Sequence, residues 1–300
     1  MVTGASTADV VVLLVDARHG VLEQTRRHLA VAGLLAVPHV VVAVNKIDLV
    51  DFSAEAFTRV ADRIERVAAA LGVADARILP TSALLGDNIV ERSARTPFYD
   101  GPALLELLES LPAESARADR ALRLPVQMVI RPRGAAAEGL SEYRGYAGSI
   151  AAGTVSVGDE IVVLPSRRRT AVTGINLGAR ALPSARAGQS VALELADDID
   201  IARGDVIAGP RGLPPLVREI DAHVAWLSEH PLHGDDRILV KHGTRTVRAL
   251  VAGIEGALDL DDLTTALADR LVLNDIGRVR LRLAEPLPAA DYAASRTDGA

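Results

Sequence analysis

Cysteine is absent from all 300 residues. That excludes disulfides, thiol catalysis and thiolate-bound zinc, and it fits a reducing compartment. Lysine is nearly absent too. Of 33 basic residues only Lys46 and Lys241 are lysine, and the other 31 are arginine. Aromatic residues make up 3% of the chain against 49% hydrophobic, so its cores must be aliphatic. Positive charge is not in excess. A net charge of -6 counts against a mainly electrostatic nucleic-acid binder. The opening Met1-Val2-Thr3-Gly4 has neither the basic segment nor the apolar run of a secretory leader. The longest apolar stretch, Leu29 to Val44, is broken by Gly33 and Pro38-His39, so it reads as a helix and then a strand, not a membrane span.

What is present changes character along the chain, and the length suits two or three domains. Residues 1–111 alternate strand and helix, the pattern of a parallel sheet with crossover helices. Strands are expected at Val10–Val15, Val40–Val44 and Arg77–Thr81. Helices are expected over Glu23–Ala36 and, capped by Ser53, over Ala54–Leu71, where Phe57, Val60, Ile64, Val67 and Leu71 recur at helical spacing. Gly101-Pro102 puts proline at the start of a third helix, before Leu104 to Leu111. Pro112–Arg120 reads as a linker. Short β runs between glycine turns follow: Val126–Ile130, Gly148–Ala152, Glu160–Val163, Ala171–Ile175, Val191–Leu195 and Val206–Ile207, with a tight turn at Val157-Gly158-Asp159-Glu160. This is the pattern of an antiparallel barrel or sandwich. Ala135–Leu140 reads as a loop tip. A second β region spans Val217 to about Leu287, with strands at Ala222–Leu227, Arg237–Lys241, Thr246–Ile254 and Val279–Leu283. The two β regions meet near Gly212–Pro215, and Ala289–Ala300 is a polar tail.

Chemistry concentrates at Asn45-Lys46-Ile47-Asp48. The tetrapeptide ends the buried run Val40–Val44, and in an open α/β sheet ligands bind at the carboxyl ends of strands. A carboxylate at Asp48 suits the two adjacent N–H donors of a guanine edge. The Asn45 amide can reach its keto and N7 side, and the Lys46 stem can cover the ring. The plain alternative is a solvated turn after a core strand. Ser82-Ala83-Leu84, at the end of another strand of the same sheet, favours the guanine reading. The Ala83 N–H could meet a base carbonyl, and Ser82 could buttress Asp48. No phosphate loop of the form Gly-x-x-x-x-Gly-Lys-Ser/Thr exists, and no Asp-x-x-Gly.

Other features read as structural. Asp197-Asp198-Ile199-Asp200 is a solvated turn rather than a cation site. Arg167-Arg168-Arg169 is a strand-end charge cluster. The seven histidines lack ligand spacing; His39 reads as packed and His28 as facing its own helix. No Gly-x-Ser-x-Gly is present. Trp226, the one tryptophan, is expected in the core of the second β region.

On these residues the chain resembles the translation-factor class of GTPases, a G domain followed by two β-barrels. Asp16-Ala17-Arg18-His19-Gly20, Gln24-Thr25-Arg26-Arg27-His28 and Asn45–Asp48 stand in that class's order. Within the class the chain is similar to the large, GTPase subunit of bacterial sulfate adenylyltransferase. The segments that carry this are Gly86-Asp87-Asn88, Pro97-Phe98-Tyr99-Asp100-Gly101-Pro102, Arg144-Gly145-Tyr146-Ala147-Gly148, Asp198–Asp205 and Val224–Leu232. The similarity covers essentially all 300 residues, and the last two segments best separate it from elongation factors. The fold implied is α/β plus all-β, a partial P-loop-type G domain over residues 1–117 and β-barrels over 118–212 and 213–300. The activity implied is that of a cytoplasmic GTP-binding subunit of a nucleotidyltransferase complex. In it GTP hydrolysis drives ATP plus sulfate to adenosine 5′-phosphosulfate plus diphosphate. The partner implied is a smaller subunit holding most of the adenylyl-transfer site; no membrane or nucleic acid is implied. Asn45, Lys46 and Asp48 would contact the guanine of GTP, with Ser82, Ala83 and Leu84 as a second base-contacting segment. No catalytic residue and no metal ligand is implied in this chain; the Mg2+ of the family would have its ligands elsewhere.

The sequence departs from the family in one respect. Members carry the phosphate loop, the first switch and an Asp-x-Pro-Gly-His segment ahead of the point where this sequence starts. Met1 therefore reads as an internal methionine within the second switch helix. Arg296-Thr297-Asp298-Gly299-Ala300 resembles a place where members continue into a final strand, and nothing here resembles the adenylylsulfate kinase domain fused to some of them. The expectation is a protein with exposed sheet edges, a tendency to self-associate, background GTP hydrolysis and two less affected β domains. Two other functions compete: an RNA-delivering translation factor, against which the acidic balance and Val224–Leu232 count, and a non-catalytic partner-binding module.

Overall fold

The computed structural model describes residues 2–6, 8–112, 120–132 and 143–292. The expected loop tip at 135–140, most of the expected linker at 112–120 and the end of the tail beyond 292 lie outside them. The chain divides into two compact units. One comprises Met1–Ala113, Ala222–Gly234 and Ile254–Val279; the other comprises Glu114–Asp221, Asp235–Gly253 and Arg280–Ala300.

The first unit is built on three parallel strands, β1 (Val10–Asp16), β2 (His39–Asn45) and β3 (Ala76–Pro80), in that spatial order. The register places Asp16 beside Asn45 and Val44 beside Pro80. β2 is central, and its Val40–Val44 run is fully enclosed, as a strand covered on both faces must be. Helices α1 (Val2–Ala5), α2 (Glu23–Leu34), α3 (Ala54–Ala70) and α4 (Leu104–Ser110) accompany these strands within residues 1–113. One face packs Val40, Val42 and Val44 against Leu29, Val60, Ile64 and Val67. The other packs Val41, Ala43 and Leu79 against Leu107 of α4. Ser53 Oγ accepts the Ala56 N–H and caps α3 as expected. Pro102 lies one residue outside the helix cap, because Ala103, not Pro102, occupies the cap of α4. A 3-10 turn over Ile47–Val50 follows β2 directly; so short an element leaves no sequence period.

The β segments are antiparallel. A sheet of the second unit runs, in spatial order, through Arg123–Pro125, Val206–Ala208, Glu160–Leu164, Arg168–Leu177, Ser190–Leu195, Gly145–Ser149 and Met128–Ile130. Its core is aliphatic apart from Tyr146, whose hydroxyl donates to Ile199 O at 2.9 Å. Two boundaries differ from expectation. The run Val126–Ile130 is interrupted, since Val126 N–H turns to Asp205 O and only Met128–Ile130 pairs with Gly145–Ser149. That second strand ends at Ser149, not Ala152, because Ala151 N–H turns away to Arg123 O at 2.8 Å. Short strands at Thr154–Ser156 and Ser184–Arg186 pair with each other and carry too few residues to show a period. Gly158 takes φ +95 in the turn expected there. Further along, Leu216–Ala225, Ile276–Pro288, Arg245–Leu258 and Arg237–His242 follow in order through one sheet. Trp226 falls just past the first of these strands. It is half-buried, its indole N–H donates to His230 O at 2.8 Å, and it is not a core residue. A polar indole edge needs an acceptor, and the turn supplies one.

Candidate functional site

The parallel sheet delivers Asn45 and Ser82 to one end. Asn45 is the last residue of β2, and Thr81 and Ser82 follow β3. The strand ends are laced together. Thr81 N–H donates to Val44 O at 2.9 Å, Ile47 N–H to Thr81 O at 3.2 Å, and Ala17 N–H to Asn45 O at 2.9 Å. Three backbone positions adopt left-handed conformations here: Lys46 (φ +62), Asp51 (φ +50) and Phe52 (φ +53). Such conformations cost non-glycine residues roughly 1 kcal/mol each and cluster at ligand clamps. They turn the chain sharply after β2, so that Asp48 comes back toward the end of β3.

The two segments meet through side chains. Ser82 Oγ donates to Asp48 Oδ1 at 2.6 Å, and Leu85 N–H donates to Ser82 Oγ at 3.3 Å. Asn45 Oδ1 accepts the Ala83 N–H at 2.9 Å. The Ala83 amide, expected from the sequence to face a base, is thus directed at Asn45 here. Lys46 Nζ is 3.0 Å from Asp16 Oδ2, which stretches the lysine stem between the ends of β2 and β1. Arg18 holds the same carboxylate through Nε at 3.0 Å and Nη2 at 2.7 Å. The Arg18 hydrogen bonds hold the Asp16 carboxyl far below the usual carboxylate range. Lys46 adds to the effect and partial burial opposes it. Leu84 is exposed beside Ser82 and Ala83.

Behind this front lies a group of residues that periodicity did not single out. Asp87 is buried and pairs with Ser82 through the main chain. Its carboxylate accepts Ser93 Oγ at 2.6 Å and a two-pronged hydrogen bond from Arg95. Asn88, left-handed and buried, donates to Pro80 O and Thr96 Oγ1 and accepts the Ser93 N–H. All three phenylalanines of the chain and Tyr99 lie in this region, with Phe57 against Phe98 and Tyr99. The available signal was Gly86-Asp87-Asn88 and the aromatic run Pro97–Pro102. Both stood out as family segments, with no role assigned to their residues.

Comparisons with known proteins follow the same lines. Residues 1–116 match the elongation factor Tu GTP-binding domain, and residues 219–300 match the GTP-eEF1A C-terminal domain. The fold is that of an elongation factor Tu-like GTPase. Two solved structures of sup35, one complexed with GMPPNP and one with GDP, share this elongation factor Tu-like fold. Their TM-scores are 0.53 and 0.56, with 24% and 23% identity. The chain covers 75% and 76% of them, and they cover 99% and 100% of it. The bifunctional enzyme CysN/CysC of Mycobacterium tuberculosis is 44% identical over 301 residues. The sulfate adenylyltransferase subunits 1 of Laribacter hongkongensis and Shewanella oneidensis are each 40% identical. All three cover 100% of this chain, and the chain spans 48% of the first and 61% of the other two. No helix among the described residues is long and apolar enough to cross a membrane.

Proposed function

We propose that this chain is the base-recognising part, with the β domains, of a cytoplasmic GTPase subunit that couples GTP hydrolysis to sulfate activation. The observation that carries this is similarity along the full chain to proteins named sulfate adenylyltransferase subunit 1 and CysN/CysC. The reaction is ATP plus sulfate to adenosine 5′-phosphosulfate plus diphosphate, with a smaller adenylyltransferase subunit as partner. The proposed division is a G-domain part at 1–117 and β-barrels at 118–212 and 213–300.

In this reading Asp48 accepts hydrogen bonds from the two N–H donors of the guanine edge. Ser82 holds Asp48 Oδ1, leaving Oδ2 and the remaining lone pairs for the base. Asn45 sets the Ser82–Leu84 segment, and the Lys46 stem, anchored at Asp16, lies over the ring. The residues present do not fit Mg2+. Neither a phosphate-loop hydroxyl nor an Asp-x-x-Gly occurs in the sequence, and no acidic or histidine cluster among the described residues could hold a metal. Titration with GDP and ADP tests the base reading. Wild type should prefer GDP at least about tenfold, as hydrogen bonds to a charged carboxylate allow, and Asp48→Ala should erase the preference. Equal binding of both nucleotides by wild type would overturn it. Affinity capture tests the partner: recovery of aminoacyl-tRNA in place of an adenylyltransferase subunit would favour the translation-factor reading.

A further inference from the structure

The base-contacting residues come from two loops that are not consecutive in the chain, so their spacing must be set by something behind them. The turn from Ile47 to Phe52 carries Asp48, and Phe52 N–H closes it on Ile47 O at 3.0 Å. Phe52, an aromatic residue with φ +53, is held in a backbone state that it does not choose on its own. The other loop runs from Ser82 to Asp87, closed by Ser82 N–H to Asp87 O at 3.1 Å and Gly86 N–H to Ser82 O at 2.8 Å. Arg95 touches both. Its guanidinium carbon sits 4.6 Å from the centre of the Phe52 ring. The same group donates Nε at 3.0 Å and Nη2 at 2.6 Å to the two oxygens of Asp87, which is only 6% exposed. Stacking a planar cation on a ring while both prongs engage a carboxylate is a geometry that arginine provides and lysine does not.

We propose that Arg95 is a positioning residue of the base site, tying the Asp48 turn through Phe52 to the Ser82 loop through Asp87. The role rests on the base-site reading under Proposed function. Hydrogen exchange on the full chain tests the tie without any nucleotide. The amides of Ala83 and Leu85, which donate to Asn45 and Ser82, should exchange about tenfold faster in Arg95→Ala, with the amides of α3 unchanged. Arg95→Lys, which keeps the charge and loses the fork and the stacking, should fall between. Phe52→Leu should accelerate the same two amides. Unchanged exchange at Ala83 and Leu85, or a uniform rise that includes α3, overturns the tie. If Arg95→Ala does not fold, the same two amides in Arg95→Lys decide the matter, faster exchange supporting the tie and unchanged exchange overturning it.

Titration with GDP and IDP, which lacks the 2-amino donor facing Asp48, tests what the tie is for. Wild type should favour GDP, and Arg95→Ala should lose at least about two-thirds of that ratio. A wild type that favours GDP, with an unchanged ratio in Arg95→Ala, overturns the positioning role alone. A wild type that does not distinguish the two, and that Asp48→Ala leaves unaltered, overturns the base-site reading and the role with it, even if the exchange result stands.

Discussion

Asp16 closes β1 and serves two cations at once, Arg18 and Lys46. Because these partners hold its folded-state pKa below the unfolded value, the stability they contribute is fully present above the ordinary carboxylate range. It is lost as pH falls through that range toward the folded value. Both cations are over a third exposed, Arg18 at 42% and Lys46 at 49%. Asp16→Asn should therefore cost no more than about 1 kcal/mol at neutral pH. The gap to wild type should close as pH drops from about 5 to about 2, read by urea denaturation of both proteins across that range. A gap that stays constant with pH would mean that Asp16 contributes through shape alone. The scarcity of lysine, an unusual feature of the sequence, finds a physical use at this position. Lys46 spans two strand ends with a thin stem, where a guanidinium would spread flat.

β1 is the element on which the sequence expectation and the structure meet most directly. Among the described residues it pairs only with β2, so its outer backbone edge is unpaired. Val12 and Leu14, 41% and 70% exposed, project from one face. Seven residues of high β propensity without proline or an internal charge make an edge prone to pairing with other chains. Light scattering should show concentration-dependent self-association, reduced by Leu14→Lys without loss of helix signal. Persistence of association in that variant would locate the sticky surface elsewhere. A second prediction concerns α2. A Cβ on Gly33 would come 2.4 Å from Leu71 O, so Gly33→Ala should lower stability despite the better helix propensity of alanine, by roughly 1–3 kcal/mol in thermal melts. The long apolar runs of the parallel sheet and the Phe57–Leu71 period were legible because burial on two faces, or on one helical stripe, leaves a strong pattern. The short strands Thr154–Ser156 and Ser184–Arg186 were not, nor was the interruption at Val126, because tertiary hydrogen bonds such as Val126 N–H to Asp205 O decide them. Within the candidate site, the pairing of Ser82 with Asp48 was legible from their chemistry and their place at strand ends. Asp87, Arg95 and Phe52 were not, because an ion pair stacked on a ring has no sequence period. The direction of the Ala83 amide was not legible either, since only the fold shows that Asn45 reaches it.

At the scale of the whole molecule, the proposed base site would be one half of what a GTPase needs. In that proposal the recognition half is the strand-end lacing and the side-chain pairs of Asn45, Asp48 and Ser82. The phosphate half requires a lysine next to a glycine-rich turn and a residue that senses the γ-phosphate, and none of the 300 residues supplies either pattern. Since phosphoryl transfer is catalysed almost wholly by positioning and charge stabilisation at the phosphates, base recognition alone contributes uniform binding and no acceleration. The two properties should therefore separate in experiment. The protein of these 300 residues should bind GDP in preference to ADP, with weak affinity, because only the base is held. Phosphate release from GTP should match the buffer rate in wild type and in Asp48→Ala alike. The measurement is single-turnover phosphate release with enzyme in excess, alongside the GDP and ADP titration on the same preparation. Hydrolysis above background that Asp48→Ala abolishes would show that this chain completes a phosphate site by a route its sequence motifs do not reveal. Background hydrolysis together with a GDP preference would leave base selection and phosphate chemistry as separable functions of the fold.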